Sequence, residues 1–137
     1  MLKALFASML FVTATLDGSF AQNAFKAPSV WINERGSILT IEKIEASGDF
    51  LGTFVNKAAG SQCRDDPYLA EGKILVDKIY FAVAFADRVD SAKNCMTVTE
   101  WRGTVSAGSI ATTWSLAYPG PNGLVLIGGA DKFDLQP

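Results

Sequence analysis

Histidine is absent from all 137 residues. Without it the chain lacks the usual general base, the imidazole of Ser-His and Cys-His pairs, and the commonest zinc ligand. Positive charge is scarce as well. Twelve Lys and Arg against 14 Asp and Glu leave a net charge of −2 and a pI near 5.0. Nothing in that balance draws the chain to nucleic-acid phosphates. Charged residues make up only 19% against 49% hydrophobic, a globular balance that excludes a disordered or fibrous chain. No window from Val30 onward carries a helical period. The length suits one domain with a proper core and is short for two.

The N-terminus holds the only long apolar run. Lys3 supplies a minimal positive start, 4–16 form an apolar stretch, and Ser19-Phe20-Ala21 places small residues at −3 and −1 of a cleavage site. The run is too short and too abruptly ended to span a membrane. Residues 1–21 are therefore expected to be a signal peptide, 22–29 a polar, flexible lead-in, and 30–137 the folded domain of a secreted or periplasmic protein. Only two cysteines occur, Cys63 and Cys95, both beyond the cleavage site. In an oxidising compartment an even count favours a disulfide, with two buried thiols as the alternative.

The domain reads as strand, turn, strand throughout. Strands are expected over 30–33, 37–45, 50–56, 68–76, 78–86, 94–103, 109–118 and 124–135. Glu34-Arg35-Gly36, Ala46-Ser47-Gly48-Asp49 and Pro119-Gly120-Pro121-Asn122-Gly123 are turns by composition. The longest irregular segment is 57–67, and a polar loop covers 87–93. Eight sequential strands with short connections predict an all-β fold, an eight-stranded antiparallel up-and-down β-barrel. A sandwich would need a long crossover, and none is visible. An eight-stranded barrel is just wide enough to hold one small ligand.

The segment Asn94-Cys95-Met96-Thr97-Val98-Thr99-Glu100-Trp101-Arg102-Gly103 shows why the interior draws notice. With a period of two, Cys95, Thr97, Thr99 and Trp101 share a face. Thr favours strands in any case, so alone this fits a solvated strand. Placing every strand by the same period collects Trp31, Asn33, Ser37, Phe54, Asn56, Phe85, Thr97, Thr99, Trp101, Trp114 and Asp131 on one surface. All three tryptophans are among them, with one carboxylate and no basic residue. Aromatic walls with a few convergent polar groups describe a small-molecule site.

These motifs resemble those of the avidin and streptavidin biotin-binding proteins, most closely the dimeric, rhizavidin-like bacterial branch. Trp31-Ile32-Asn33-Glu34-Arg35-Gly36-Ser37 is similar to the family's first-strand Trp-x-Asn-x-x-Gly-Ser signature. Gly52-Thr53-Phe54-Val55-Asn56 resembles its Gly-x-Tyr strand, with the Val-Asn of the dimeric branch. Thr97-Val98-Thr99-Glu100-Trp101 matches its Ser-x-Thr-x-Trp, and 112–118 is similar to its penultimate strand. Gly129-Ala130-Asp131-Lys132-Phe133 matches its final Gly-x-Asp-x-Phe.

The resemblance implies biotin as the ligand, no cofactor, no catalysis, and a homodimer or higher homo-oligomer as the assembly. Asn33 and Ser37 would donate to the ureido oxygen, and Asp131 and Asn56 would receive the ureido N–H groups. Thr99 would approach the thioether, Thr97 the valerate carboxylate, and Phe85, Trp101 and Trp114 would wall the ring. Cys63 and Cys95 fall where the dimeric branch has a disulfide over the site.

The chain departs from the pattern at Phe54, where the family has a tyrosine donor, and at Phe85, where it has a tryptophan. A missing hydrogen bond of that kind costs ~1–3 kcal/mol, so weaker binding than is typical of the family is expected. The tryptophan that tetrameric members lend a neighbouring subunit is replaced near Gly123. Rival classes are a lipocalin-like barrel for an apolar ligand, an exported enzyme pairing Asp131 with Glu100 or another carboxylate, and an avidin-like relative whose site takes another small heterocycle. The first leaves Asp131 without a donor, and the second, with Glu100, puts its two carboxylates on opposite faces of the sheet.

Overall fold

The computed structural model describes residues 25–88 and 94–137. The expected signal peptide and most of the loop expected over 87–93 lie outside the described residues. Eight strands follow in order: β1 (Ser29–Asn33), β2 (Ile38–Ile44), β3 (Asp49–Val55), β4 (Pro67–Leu75), β5 (Lys78–Arg88), β6 (Val98–Ser106), β7 (Ser109–Gly120) and β8 (Gly123–Leu135). Each pairs antiparallel with the next, and β1 closes onto β8 through Trp31↔Leu135, Ile32↔Asp134 and Asn33↔Phe133. The expected up-and-down barrel is the fold observed. Closure leaves no unpaired edge, which removes the usual route to strand-edge aggregation.

Alternation decides which side chains point inward. On β2, Leu39 and Ile41 are buried while Thr40 and Glu42 are not, and on β3 the inward row is Phe50, Gly52, Phe54. Gly52 is there because a Cβ would stand 1.9 Å from the Thr40 carbonyl oxygen. The tight turns use glycine where φ is positive, at Gly36 (83°) and Gly48 (87°). Within the described part of the lead-in, Phe25 is buried with its ring 5.6 Å from that of Trp31, while residues 26–28 are exposed.

The barrel is filled at one end only. Trp31, Leu39, Ile41, Phe50, Ile79, Phe81, Ile110 and Phe133 are buried there and close the floor. Trp101 lies flat on Phe81, with centroids 4.7 Å apart and planes at 8°, and Phe54 tilts against Trp101 at 4.8 Å. Above that aromatic layer the inward positions become polar or smaller, and the interior opens.

The sixth strand differs from expectation at its start. The expected strand begins at Asn94, whereas β6 begins at Val98, because Met96 adopts a left-handed φ of 54°. Cys95 and Thr97 flank that excursion and both bond to Phe85, Cys95 N–H to its carbonyl at 2.9 Å and Phe85 N–H to the Thr97 carbonyl at 2.8 Å. Cys95 is joined to Cys63, 32 residues away, so the irregular segment between β3 and β4 is tied to the head of β6.

Closing a loop of that length contributes roughly 3–4 kcal/mol on the chain-entropy view. The double variant Cys63→Ala/Cys95→Ala should therefore unfold at a distinctly lower urea midpoint. An unchanged midpoint would show that the crosslink adds nothing to stability.

Candidate functional site

The open end of the barrel holds a cavity of about 500 Å³. Asn33, Ser37, Phe54, Asn56, Phe85, Thr97, Thr99, Trp101, Trp114 and Asp131 all line it. Every residue singled out as ligand-facing in the sequence is thus brought to one space. Trp31 is the exception among the inward-facing set. It is buried in the floor, its ring N–H donates to Ser29 Oγ at 3.0 Å, and it does not reach the cavity.

The turn after β1 builds the donor side. Asn33 Oδ1 accepts from the backbone N–H of Arg35 at 3.0 Å and of Ser37 at 2.8 Å. With its oxygen committed to the turn, Asn33 has only its NH₂ to offer the cavity. Ser37 Oγ accepts from Lys57 N–H at 2.9 Å, and its own proton reaches Asn56 Oδ1 at a long 3.5 Å. That weak bond leaves the hydroxyl free to turn to a better acceptor. Asn56 is held by Ala58 N–H, which donates to its Oδ1 at 2.8 Å, and by Ser61 Oγ, which accepts from its Nδ2 at 2.9 Å.

The acceptor side is Asp131, on β8. Asn33 pairs with Phe133, so Asp131 is the next same-face position along the strand. The residue is 8% exposed. Trp101 donates its ring N–H to Oδ2 at 3.0 Å, and Thr112 Oγ donates to the Asp131 backbone carbonyl at 2.9 Å. The second carboxylate oxygen, Oδ1, is buried and makes no hydrogen bond among the described residues. A buried charge in that condition is costly unless something donates to it.

Arg35 corrects the expectation of an interior without a basic residue. Its Nε stands 3.5 Å from Asp131 Oδ1, close enough for an ion pair, and its guanidinium carbon lies 5.7 Å from the centroid of the Trp114 ring. Strand period could not reveal this, since Arg35 sits in a turn and reaches in by length. Trp114 in turn rests on β8 at Gly129, where a Cβ would come within 2.4 Å of its ring. The glycines of β8 therefore seat an aromatic wall. Leu116, Tyr118 and the segment from Ala58 to Gln62 also line the cavity. Leu116 and Tyr118 continue the every-second-residue row from Trp114, so the signal for them was present. The loop residues carried none.

Two donors face one buried acceptor across an aromatic slot. That arrangement suits a flat, uncharged group with a carbonyl flanked by N–H bonds. Among the described residues there is no cluster of His, Cys, Asp or Glu able to hold a metal ion.

Residues 21–122 match the profile of the Avidin family. Among solved structures, the bradavidin2–biotin complex is 37% identical with a TM-score of 0.72, covering 82% of this chain and 100% of that one. The rhizavidin–biotin complex is 33% identical with a TM-score of 0.74, covering 82% and 93%. Apo shwanavidin is 30% identical with a TM-score of 0.73, covering 82% and 98%. None of the curated proteins compared with the chain matches it. Family profile, barrel topology and cavity agree, and the chain belongs to the avidin family.

Proposed function

We propose that this is an exported, non-catalytic biotin-binding protein that takes one biotin into the open end of each barrel. The observation that carries the reading is Asp131 Oδ1, a buried acceptor without a hydrogen bond, in a cavity where Asn33 and Ser37 present donors. Biotin-bound bradavidin2 and rhizavidin support the choice of ligand. A ureido group supplies what the site lacks. One ring N–H goes to Asp131 Oδ1. The other takes the lone pair of Asn56 Oδ1 that Ser37 holds only at 3.5 Å. Ser37 is then released to donate, beside Asn33, to the ureido oxygen. Thr99 and Thr97 line the path of the thioether and the carboxylate, and Phe85, Trp101 and Trp114 enclose the rings.

An apolar ligand would leave Asp131 Oδ1 without a donor. A carboxylate pair with Glu100 is excluded by position, since Glu100 accepts from the Tyr80 hydroxyl at 2.9 Å and from Arg102 at 2.8 Å on the outer face. Export rests on the leader pattern and accords with the Cys63–Cys95 bond. A secreted or periplasmic location follows from the same pattern.

At position 54 the ring packs against Trp101 and meets Phe85 edge-on at 6.2 Å, with no hydroxyl to add to Asn33 and Ser37. Titration calorimetry should show biotin binding by the native protein, and tighter binding by Phe54→Tyr, by ~1–3 kcal/mol. Absence of native binding would refute the function. A tyrosine variant no tighter than native would refute the account of the ureido oxygen.

The assembly we propose is at least a dimer. On the outer row of Tyr80, Ala82 and Ala84, Tyr80 is engaged by Glu100 and Arg102 while staying 38% exposed. The apolar row instead runs across the sheet through Ala84, Val98, Ala117 and Leu126, which are register partners in turn. Leu126 is 67% and Leu124 71% exposed, more than a solitary barrel would leave to water on one strand. Native mass spectrometry should give a dimer or larger for the unaltered protein and a monomer for Leu124→Asp/Leu126→Asp. A monomeric native mass would end this part of the proposal.

A further inference from the structure

The turn from Asn33 to Ser37 fixes the Arg35 backbone and lets its side chain reach into the cavity. Its N–H is bonded to Asn33 Oδ1 at 3.0 Å, and the next N–H, of Gly36, to the Asn33 carbonyl at 2.9 Å. The side chain is 46% exposed and lines the cavity. It touches the two features a ureido ring needs, the unbonded Oδ1 of Asp131 and the Trp114 ring. A guanidinium and a urea share a planar sp² carbon with N–H edges, so a site shaped for one accommodates the other.

Building on the biotin reading, we propose that Arg35 is a ligand-displaced side chain. Its guanidinium stands in for the ureido edge in the empty barrel, and biotin binds by exchanging with it. Without Arg35 the cavity would hold a buried carboxylate with one oxygen bare, and the arginine neutralises that charge. Its hold is weak: the Nε–Oδ1 separation is 3.5 Å, and Oδ1 receives no hydrogen bond from it. An ion pair without a hydrogen bond, whose arginine side chain is 46% exposed, gives way readily. An incoming N–H aligned on Oδ1 makes a true hydrogen bond to a carboxylate, and the released guanidinium returns to water. Arg35 therefore steadies the empty barrel at the expense of affinity and association rate. It also sets a threshold, since a ligand must bring a donor good enough to replace it.

The inference predicts opposite movements in two readouts, which a merely structural residue would not produce. In Arg35→Leu, biotin should bind between about two- and tenfold more tightly and associate faster. The ligand-free melting temperature of the same variant should fall, because Asp131 loses its counter-charge. Arg35→Lys retains the charge without the planar fork, and should keep the native melting temperature while binding biotin more tightly than native. Stopped-flow tryptophan fluorescence with biotin, and thermal melts without it, give these values. If the native protein binds biotin while both variants bind it equally or less tightly, Arg35 does not compete and the inference falls alone. If neither the native protein nor the variants bind biotin, the biotin reading falls and takes the inference with it.

Discussion

A carboxylate inside a closed barrel has to be held in place, and here Trp101 holds Asp131. The indole N–H donates to Oδ2 at 3.0 Å, while the same indole lies on Phe81 and against Phe54. One side chain therefore joins the packed floor to the polar cavity. Without the stack Trp101 would be free to turn, and without its N–H the carboxylate would have no firm partner in the empty protein. The rest of the site is arranged around what that bond leaves over, a single acceptor oxygen directed at an open space.

The remaining geometry follows from closing the sheet. Eight strands give an interior that large side chains can fill, and at the floor they do. At the other end the inward positions are Asn33, Ser37, Thr97, Thr99 and Asp131, too short and too polar to close the space. Backbone N–H groups orient the polar side chains, so Asn33 presents its donors because the turn has taken its oxygen. The crosslink from Cys63 to Cys95 holds the Ala58–Gln62 wall against the head of β6.

Much of this was legible in the chain because a strand has the simplest period there is. Thr97, Thr99 and Trp101 could be placed on one face by counting in twos, and the breakers between strands gave their order. What counting in twos could not see was reach. Arg35 belongs to a turn, where no period applies, and its long side chain carries it to Asp131 from outside the alternation. Met96 shows a second limit. Its left-handed backbone ends the regular strand early, although Cys95 and Thr97 keep their places beside Phe85. Trp31 shows a third: an inward face has depth, and sequence does not say whether a residue lies in the floor or the cavity.

On the proposed reading, Asp131 exchanges stability for recognition: a buried carboxylate is costly to the fold, and hydrogen bonds donated to a carboxylate are the stronger for its charge. Asp131→Asn keeps the shape and removes the charge. Its amide oxygen can still accept from Trp101, which turns an NH₂ toward the N–H of the ligand. Calorimetric titration of this variant with biotin is the most direct test of the account. A loss of about ten- to a hundredfold in affinity is predicted. An affinity unchanged from the native protein would show that the carboxylate is not what the cavity is built around.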